Sequence, residues 1–244
     1  MEPSILNIAL YSLLPAIGML IGGIGASVYQ PSNKLTSATQ HFAAGVVFAA
    51  VAKELLPKLG ADNEPIALIV GFGLGVILML FLKKLTNRLS EEEAKSTGIS
   101  LGLVCAVGID LFIDGILIGV AFLAGKQGGI LIAIALALEI LFLGLSLTST
   151  LGTRAVSPKT KLLITFALAL LIPIGSILGA VSLSQLPQFF TDGLLAFGVS
   201  ALLYLVTEEL LTEAHEHEIK ETPLITASFF MGFLSILLLE RFAV

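Results

Sequence analysis

The chain has 244 residues, of which 56% are hydrophobic and 13% charged, with a formal net charge of -5. A water-soluble domain carries about 25% charged residues to keep its surface solvated, so the composition excludes an ordinary soluble domain, and the small acidic charge gives no basis for binding nucleic acid. The single cysteine, Cys105, excludes a disulfide framework and a thiolate metal cluster.

The apolar residues gather in runs that suit helices crossing ~30 Å of hydrocarbon, each needing about 20 residues. In chain order they predict eight spans: 6–28, 38–56, 65–82, 98–123, 130–151, 162–183, 192–211 and 223–239. The first run starts beside Glu2 without a basic segment and is longer than a cleaved leader, so it is read as a span. Strands of a membrane barrel would instead alternate over about 10 residues. The expected fold class is therefore an all-α membrane protein with eight transmembrane helices in one domain. Tryptophan is absent, so an interfacial aromatic belt has to use Tyr11, Tyr29, Tyr204 and the phenylalanines.

Eight crossings put both termini on one side of the bilayer. The loops after spans one, three, five and seven hold nine basic residues: Lys34, Lys83, Lys84, Arg88, Lys95, Arg154, Lys159, Lys161 and Lys220. The opposite side holds Lys58, Lys126 and Arg241. The positive-inside rule makes the nine-charge side cytoplasmic and both termini extracytoplasmic, in a plasma or inner membrane.

Span two carries His41 at its cytoplasmic start, expected at the interface, and Lys53-Glu54 near its outer end. Glu54 suits either an interfacial anchor or a first ligand for an incoming cation. Residues 42–57 align with 197–212 at an offset of 155, matching Phe42/Phe197, Val51/Val206, Glu54/Glu209, Leu55/Leu210 and Leu56/Leu211. Spans two and seven run in opposite directions, so the echo predicts an inverted repeat with a substrate site between its halves.

Span four places Asp110 and Asp114 four residues apart, on one helix face and about 6 Å apart along the axis. Asp110 lies midway along its span, and Glu139 lies near the middle of span five. A short loop over 124–128 makes these two helices antiparallel neighbours. An ionised carboxylate in hydrocarbon costs at least ~2.5–3.5 kcal/mol. Three acids at one depth with no basic residue in the spans beside them have to be protonated, hydrated or neutralised by a bound cation. A divalent-cation site accounts for all three together; plain hydrogen-bonding acids are the bland alternative. Toward the cytoplasmic end of span seven, Glu208, Glu209, Glu213, His215 and His217 supply carboxylates and imidazoles at a density that suits transient release of a divalent ion, or else a solvated acidic helix end.

These residues resemble the ZIP family of metal transporters along the whole chain. The family carries His-Asn-x-Pro-Glu-Gly in span four, where this chain reads Asp110-Leu-Phe-Ile113-Asp114-Gly115, followed by the family-like Ile-Leu-Ile-Gly-Val-Ala-Phe. In span five, His or Gln and then Pro-Glu-Gly correspond to Glu139 and to Phe142-Leu143-Gly144. The Phe-Ala-Ala-Gly-Val-Val-Phe-Ala-Ala stretch of span two and Glu209-Leu-Leu-Thr-Glu-Ala-His215-Glu of span seven are similar to the family's. The resemblance implies transport of a divalent metal as substrate, a homodimer in the lipid bilayer, and a bundle of spans one, four, five and six that moves against the rest.

The departures bear on the metal. Asp110 and Glu139 stand where the family has imidazole or amide ligands, Leu143 where it has a glutamate, and Ile172-Pro173 where span six has Glu-Pro. One site of Asp110, Asp114 and Glu139 is therefore expected, not two. Carboxylate-only ligands suit manganese or ferrous iron, with zinc and cadmium as further candidates, and lower the preference for zinc. Two other readings compete. One is a relative that binds metal as a sensor or scaffold without moving it. The other is an intramembrane aspartyl protease, which the placement of both aspartates on one helix disfavours.

Overall fold

The computed structural model describes residues 5–28, 32–60, 64–93, 99, 101–153, 156–183, 186–216 and 223–243. The described residues are helical almost throughout, with no strand among them. The helices are α1 (Ile5–Val28), α2 (Asn33–Ala50), α3 (Pro65–Glu93), α4 (Leu101–Ala124), α5 (Lys126–Thr153), α6 (Pro158–Ala169), α7 (Leu171–Leu183), α8 (Gln188–Tyr204), α9 (Leu211–Glu216) and α10 (Pro223–Ala243). Ser32 and Ser157 cap α2 and α6 by accepting the N–H groups of Leu35 and Thr160. Seven helical stretches are long and apolar enough to cross a membrane, and the apolar part of α10, Pro223–Leu239, is shorter. The chain is thus an all-α integral membrane protein.

Several local expectations need correction. The reversal between α4 and α5 takes one residue, Gly125, not five, because its φ of 144° is a conformation that only glycine adopts readily. Span six is two helices that meet at Leu170. Pro173 has no N–H to donate to the Ala169 carbonyl, and its ring crowds that carbonyl, which breaks the helical ladder there. Helix α3 continues to Glu93 past its apolar run, so Lys83 and Lys84 are helical residues and not loop residues. Tyr204 is buried and Tyr11 stacks on Phe122 with ring centroids 5.8 Å apart, so neither serves an interfacial belt; Tyr29 lies outside the described residues. Among the basic loop residues, Lys95, Arg154 and Lys220 also lie outside them.

The helix pairings follow an exchange of the two halves. Helix α1 packs along α5 as α7 packs along α4, and α2 packs along α10 as α8 packs along α3. Small residues set these contacts. A Cβ on Gly22 would lie 1.9 Å from the Leu141 carbonyl oxygen, and one on Gly175 would lie 2.3 Å from that of Phe112. On the other pairs, Gly232 meets the Phe42 carbonyl and Gly75 meets that of Phe197, the two phenylalanines of the sequence echo. Such approaches let backbones touch where lipid supplies no hydrophobic drive.

The echo has a second structural counterpart. Helix α2 continues into a π-helical turn over Val51–Leu55, and α8 continues into one over Leu205–Leu210. Residues in π-helix are well under about 1% of proteins and concentrate at functional sites. Here both turns fall on the aligned segments, and each carries its glutamate, Glu54 and Glu209. Helices α1, α4, α5, α6 and α7 form one packed group, while α2 with α10 and α3 with α8 form the rest. The outer face of α3 is apolar and exposed, through Ile66, Ile69, Leu74 and Ile77, as a lipid-facing helix requires.

Candidate metal centre

The centre is built where α4 and α5 meet. Gly115, next to Asp114, lets α7 close on α4, because a Cβ there would lie 2.3 Å from the Ile172 carbonyl oxygen. Ile172 itself is fully buried. This packing fixes the α4 face that carries Asp110 and Asp114. Helix α5 runs unbroken through Glu139, as expected once the motif prolines are replaced by Ile113 and Phe142.

Asp110, Asp114 and Glu139 each bring a carboxylate oxygen to within 4.8 Å of the other two. Asp114 is 2% exposed and Glu139 5%, while Asp110 is partly exposed. Asp114 Oδ2 and Ser176 Oγ are buried without a hydrogen-bond partner among the described residues. A buried polar atom left this way costs ~1–3 kcal/mol, more when charged. An oxygen-binding cation seated between the three carboxylates would remove that cost at Asp114, so the donor set fits a hard or borderline divalent ion.

A cavity of about 380 Å³ leads away from this cluster toward one end of the molecule. Asp110 and Glu139 line its inner part, and Lys83, Glu208, Glu209 and Thr212 line it farther out. Its walls come from both packed groups, α4 and α5 on one side and α2, α3 and the second π-turn on the other. At its mouth the Lys83 ammonium donates to Glu208 Oε2 at 2.9 Å and to the Glu208 carbonyl at 3.2 Å, and it lies 5.8 Å from the Tyr204 ring centroid. From the end of the apolar run at residue 82, a loop position is expected for this lysine. The extended α3 brings it to the cavity as a tethered cation beside two acids.

The other acids and histidines fall in two places. Glu54 is at the opposite end, where a Cβ on Gly128 in the first turn of α5 would lie 3.4 Å from its Oε2. Glu208, Glu209 and His215 lie at the cavity end, and Glu213 is in α9, its side chain outside what is described. His217 lies outside the described residues. Sequence reasoning missed Gln40, Ser146, Thr150 and Thr212, all of which line the cavity. Two of them were within reach: Glu139, Ser146 and Thr150 recur at i, i+7 and i+11, which is one polar stripe along α5. Also missed was the approach of His41 to His215, whose ring centroids lie 5.0 Å apart.

Together the fold and the site define a polytopic helical membrane protein of repeated architecture, with a buried acidic cluster open to one end. The family model for the ZIP zinc transporter matches residues 86–240, more than half of the chain, and the chain belongs to the ZIP family of divalent-metal transporters. Helices α1 and α2 and most of α3 precede the matched residues. No curated protein matches the chain.

Proposed function

We propose that the chain carries a divalent metal ion into the cytoplasm, holding it on Asp110, Asp114 and Glu139 midway across the bilayer and releasing it past Glu208 and Glu209. The observation that carries this reading is the convergence of three carboxylates within 4.8 Å at a largely buried point. Their mutual repulsion and lost hydration are both relieved by one bound dication. The surplus of basic residues at the cavity end supports a cytoplasmic mouth, with both termini on the outside. In that orientation the conformation is open inward. Glu54, on the repeat-related π-turn, is then a ligand at the outer approach when the other side opens. The family resemblance supports rocking of the α1, α4, α5, α6 and α7 group within a homodimer in the plasma or inner membrane.

The ligands bear on selectivity. All three are carboxylates, which suit manganese or ferrous iron as well as zinc or cadmium. Uptake into proteoliposomes, measured for manganese, iron, cadmium and zinc in turn, is expected to show a broad profile, and strict zinc selectivity would defeat the ligand argument. Asp114→Ala and Glu139→Ala are each expected to abolish uptake while leaving membrane insertion intact. Near-normal transport by both variants would remove the site.

A second reading rests on Leu143, an apolar side chain that lines the cavity where the family resemblance has a glutamate ligand. It is that of a relative that binds metal without moving it. Saturable metal binding in detergent without flux in proteoliposomes would establish that reading over the first.

A further inference from the structure

We propose that Lys84 and Arg88, near the end of α3, form a binding site for the phosphate of an anionic phospholipid. Two stripes run along this helix. Ala67, Gly71, Gly75 and Met79 are buried at a spacing of four and pack on α8, where a Cβ on Gly71 would lie 1.8 Å from the Gly193 carbonyl oxygen. Lys83 stands four residues beyond Met79 and continues that stripe to the cavity. On the opposite side Val70, Ile77, Leu74 and Phe81 are 50–64% exposed. Lys84 follows Ile77 by seven residues, and Arg88 follows Phe81 by seven. A straight helix drifts only ~20° over seven residues, so both cations stand on the apolar outer side, and both are exposed. Two lysines adjacent in sequence thus face different surroundings.

Depth selects the ligand. Counted from Pro65, where the apolar run begins, an α-helix rises about 28 Å to Lys84 and about 34 Å to Arg88. The hydrocarbon core is ~30 Å thick and the headgroup layer adds ~5–7 Å on each side. Lys84 therefore reaches the edge of the core, where its stem lifts the ammonium outward, and Arg88 lies among the headgroups. Glu91, the next acidic residue, comes at about 39 Å, beyond that layer.

Residues four apart on a helix have their Cβ atoms within about 6 Å, so one phosphate can accept hydrogen bonds from both side chains. The guanidinium donates two parallel N–H groups, and the ammonium adds a second charge. Among the described residues neither cation has an ion-pair partner, whereas Lys83 has Glu208. The apolar stripe runs directly up to the cations, so acyl chains and headgroup of one lipid meet a continuous matching surface. A lipid held there fixes the segment of α3 that presents Lys83 to the cavity. In the proposed orientation this is the cytoplasmic leaflet, where anionic lipids concentrate.

The site depends on α3 spanning the bilayer and not on transport. Native mass spectrometry of the purified full chain, equilibrated with mixed phosphatidylglycerol and phosphatidylcholine, counts the lipids retained. The unaltered chain is expected to keep phosphatidylglycerol in preference. Lys84→Gln combined with Arg88→Gln is expected to lose one phosphatidylglycerol equivalent, with affinity about 30-fold weaker and phosphatidylcholine retention unchanged. Lys34→Gln combined with Lys159→Gln removes the same charge from exposed positions at the same end, and is expected to keep that lipid. Full retention by the first double variant, or equal loss by both, would overturn the site. In a Cys105→Ser background, Ile77→Cys is expected to form no disulfide between chains when oxidised in phosphatidylglycerol nanodiscs. A disulfide there would show a second copy covering the stripe, and would overturn the site as well.

Discussion

The three central acids differ in how much water each keeps, and this sets how each responds to change. Asp114 and Glu139 are buried, so an ionised carboxylate costs most at those two positions, whereas Asp110 keeps partial access through the cavity. Restoring an imidazole at either family position tests the ligand argument directly. Asp110→His and Glu139→His are each expected to raise the ratio of zinc to manganese uptake, measured by competition in proteoliposomes. Lys83 is a different kind of residue. Its pair with Glu208 is between half-exposed side chains, worth under about 1 kcal/mol to stability. Its greater effect is to hold a positive charge at the mouth of an acidic cavity. Lys83→Met is expected to leave thermal stability nearly unchanged and to tighten binding of metal ions, read as a lower Kd for manganese.

At the scale of elements, the packing depends on a few residues without side chains. A Cβ on Gly45 would lie 1.9 Å from the Phe229 carbonyl oxygen, so Gly45→Val is expected to force α2 from α10 and lower the melting temperature in detergent by several degrees. Gly73 meets nothing within 4 Å, and Gly73→Ala is the neutral control. Glycines recur four apart along the sequence, as at Gly71 and Gly75 or Gly175 and Gly179, but that spacing marks a helix face and not what it touches. The same limit applied to the echo between spans two and seven. Five matches in apolar sequence carry little information, and the pair of π-turns together with the exchanged helix pairings gives the echo its meaning. The break at Pro173 and the one-residue turn at Gly125 were legible as residue types without their positions in the chain path being fixed.

For the whole molecule, the decisive property is the asymmetry of access. The cavity opens past Glu208 and Glu209, while Glu54 at the other end lies against the first turn of α5. In a Cys105→Ser background, a cysteine introduced at Ser146 or Thr150 is expected to react with a membrane-impermeant thiol reagent from the cytoplasmic side. Bound metal should slow that reaction at Ser146, the nearer of the two positions to Glu139 along α5. Labelling from the outside alone would reverse the proposed orientation.

The sequence by itself determined that this is a helical membrane protein and that Asp110, Asp114 and Glu139 are candidates for one centre. Run length and the cost of charge in hydrocarbon are local properties, readable one residue at a time. Only the tertiary structure decided that the three acids converge, that Lys83 reaches their cavity and that His41 meets His215. Those facts depend on how helices far apart in the chain close on one another through small residues, and no periodicity within a single span encodes them.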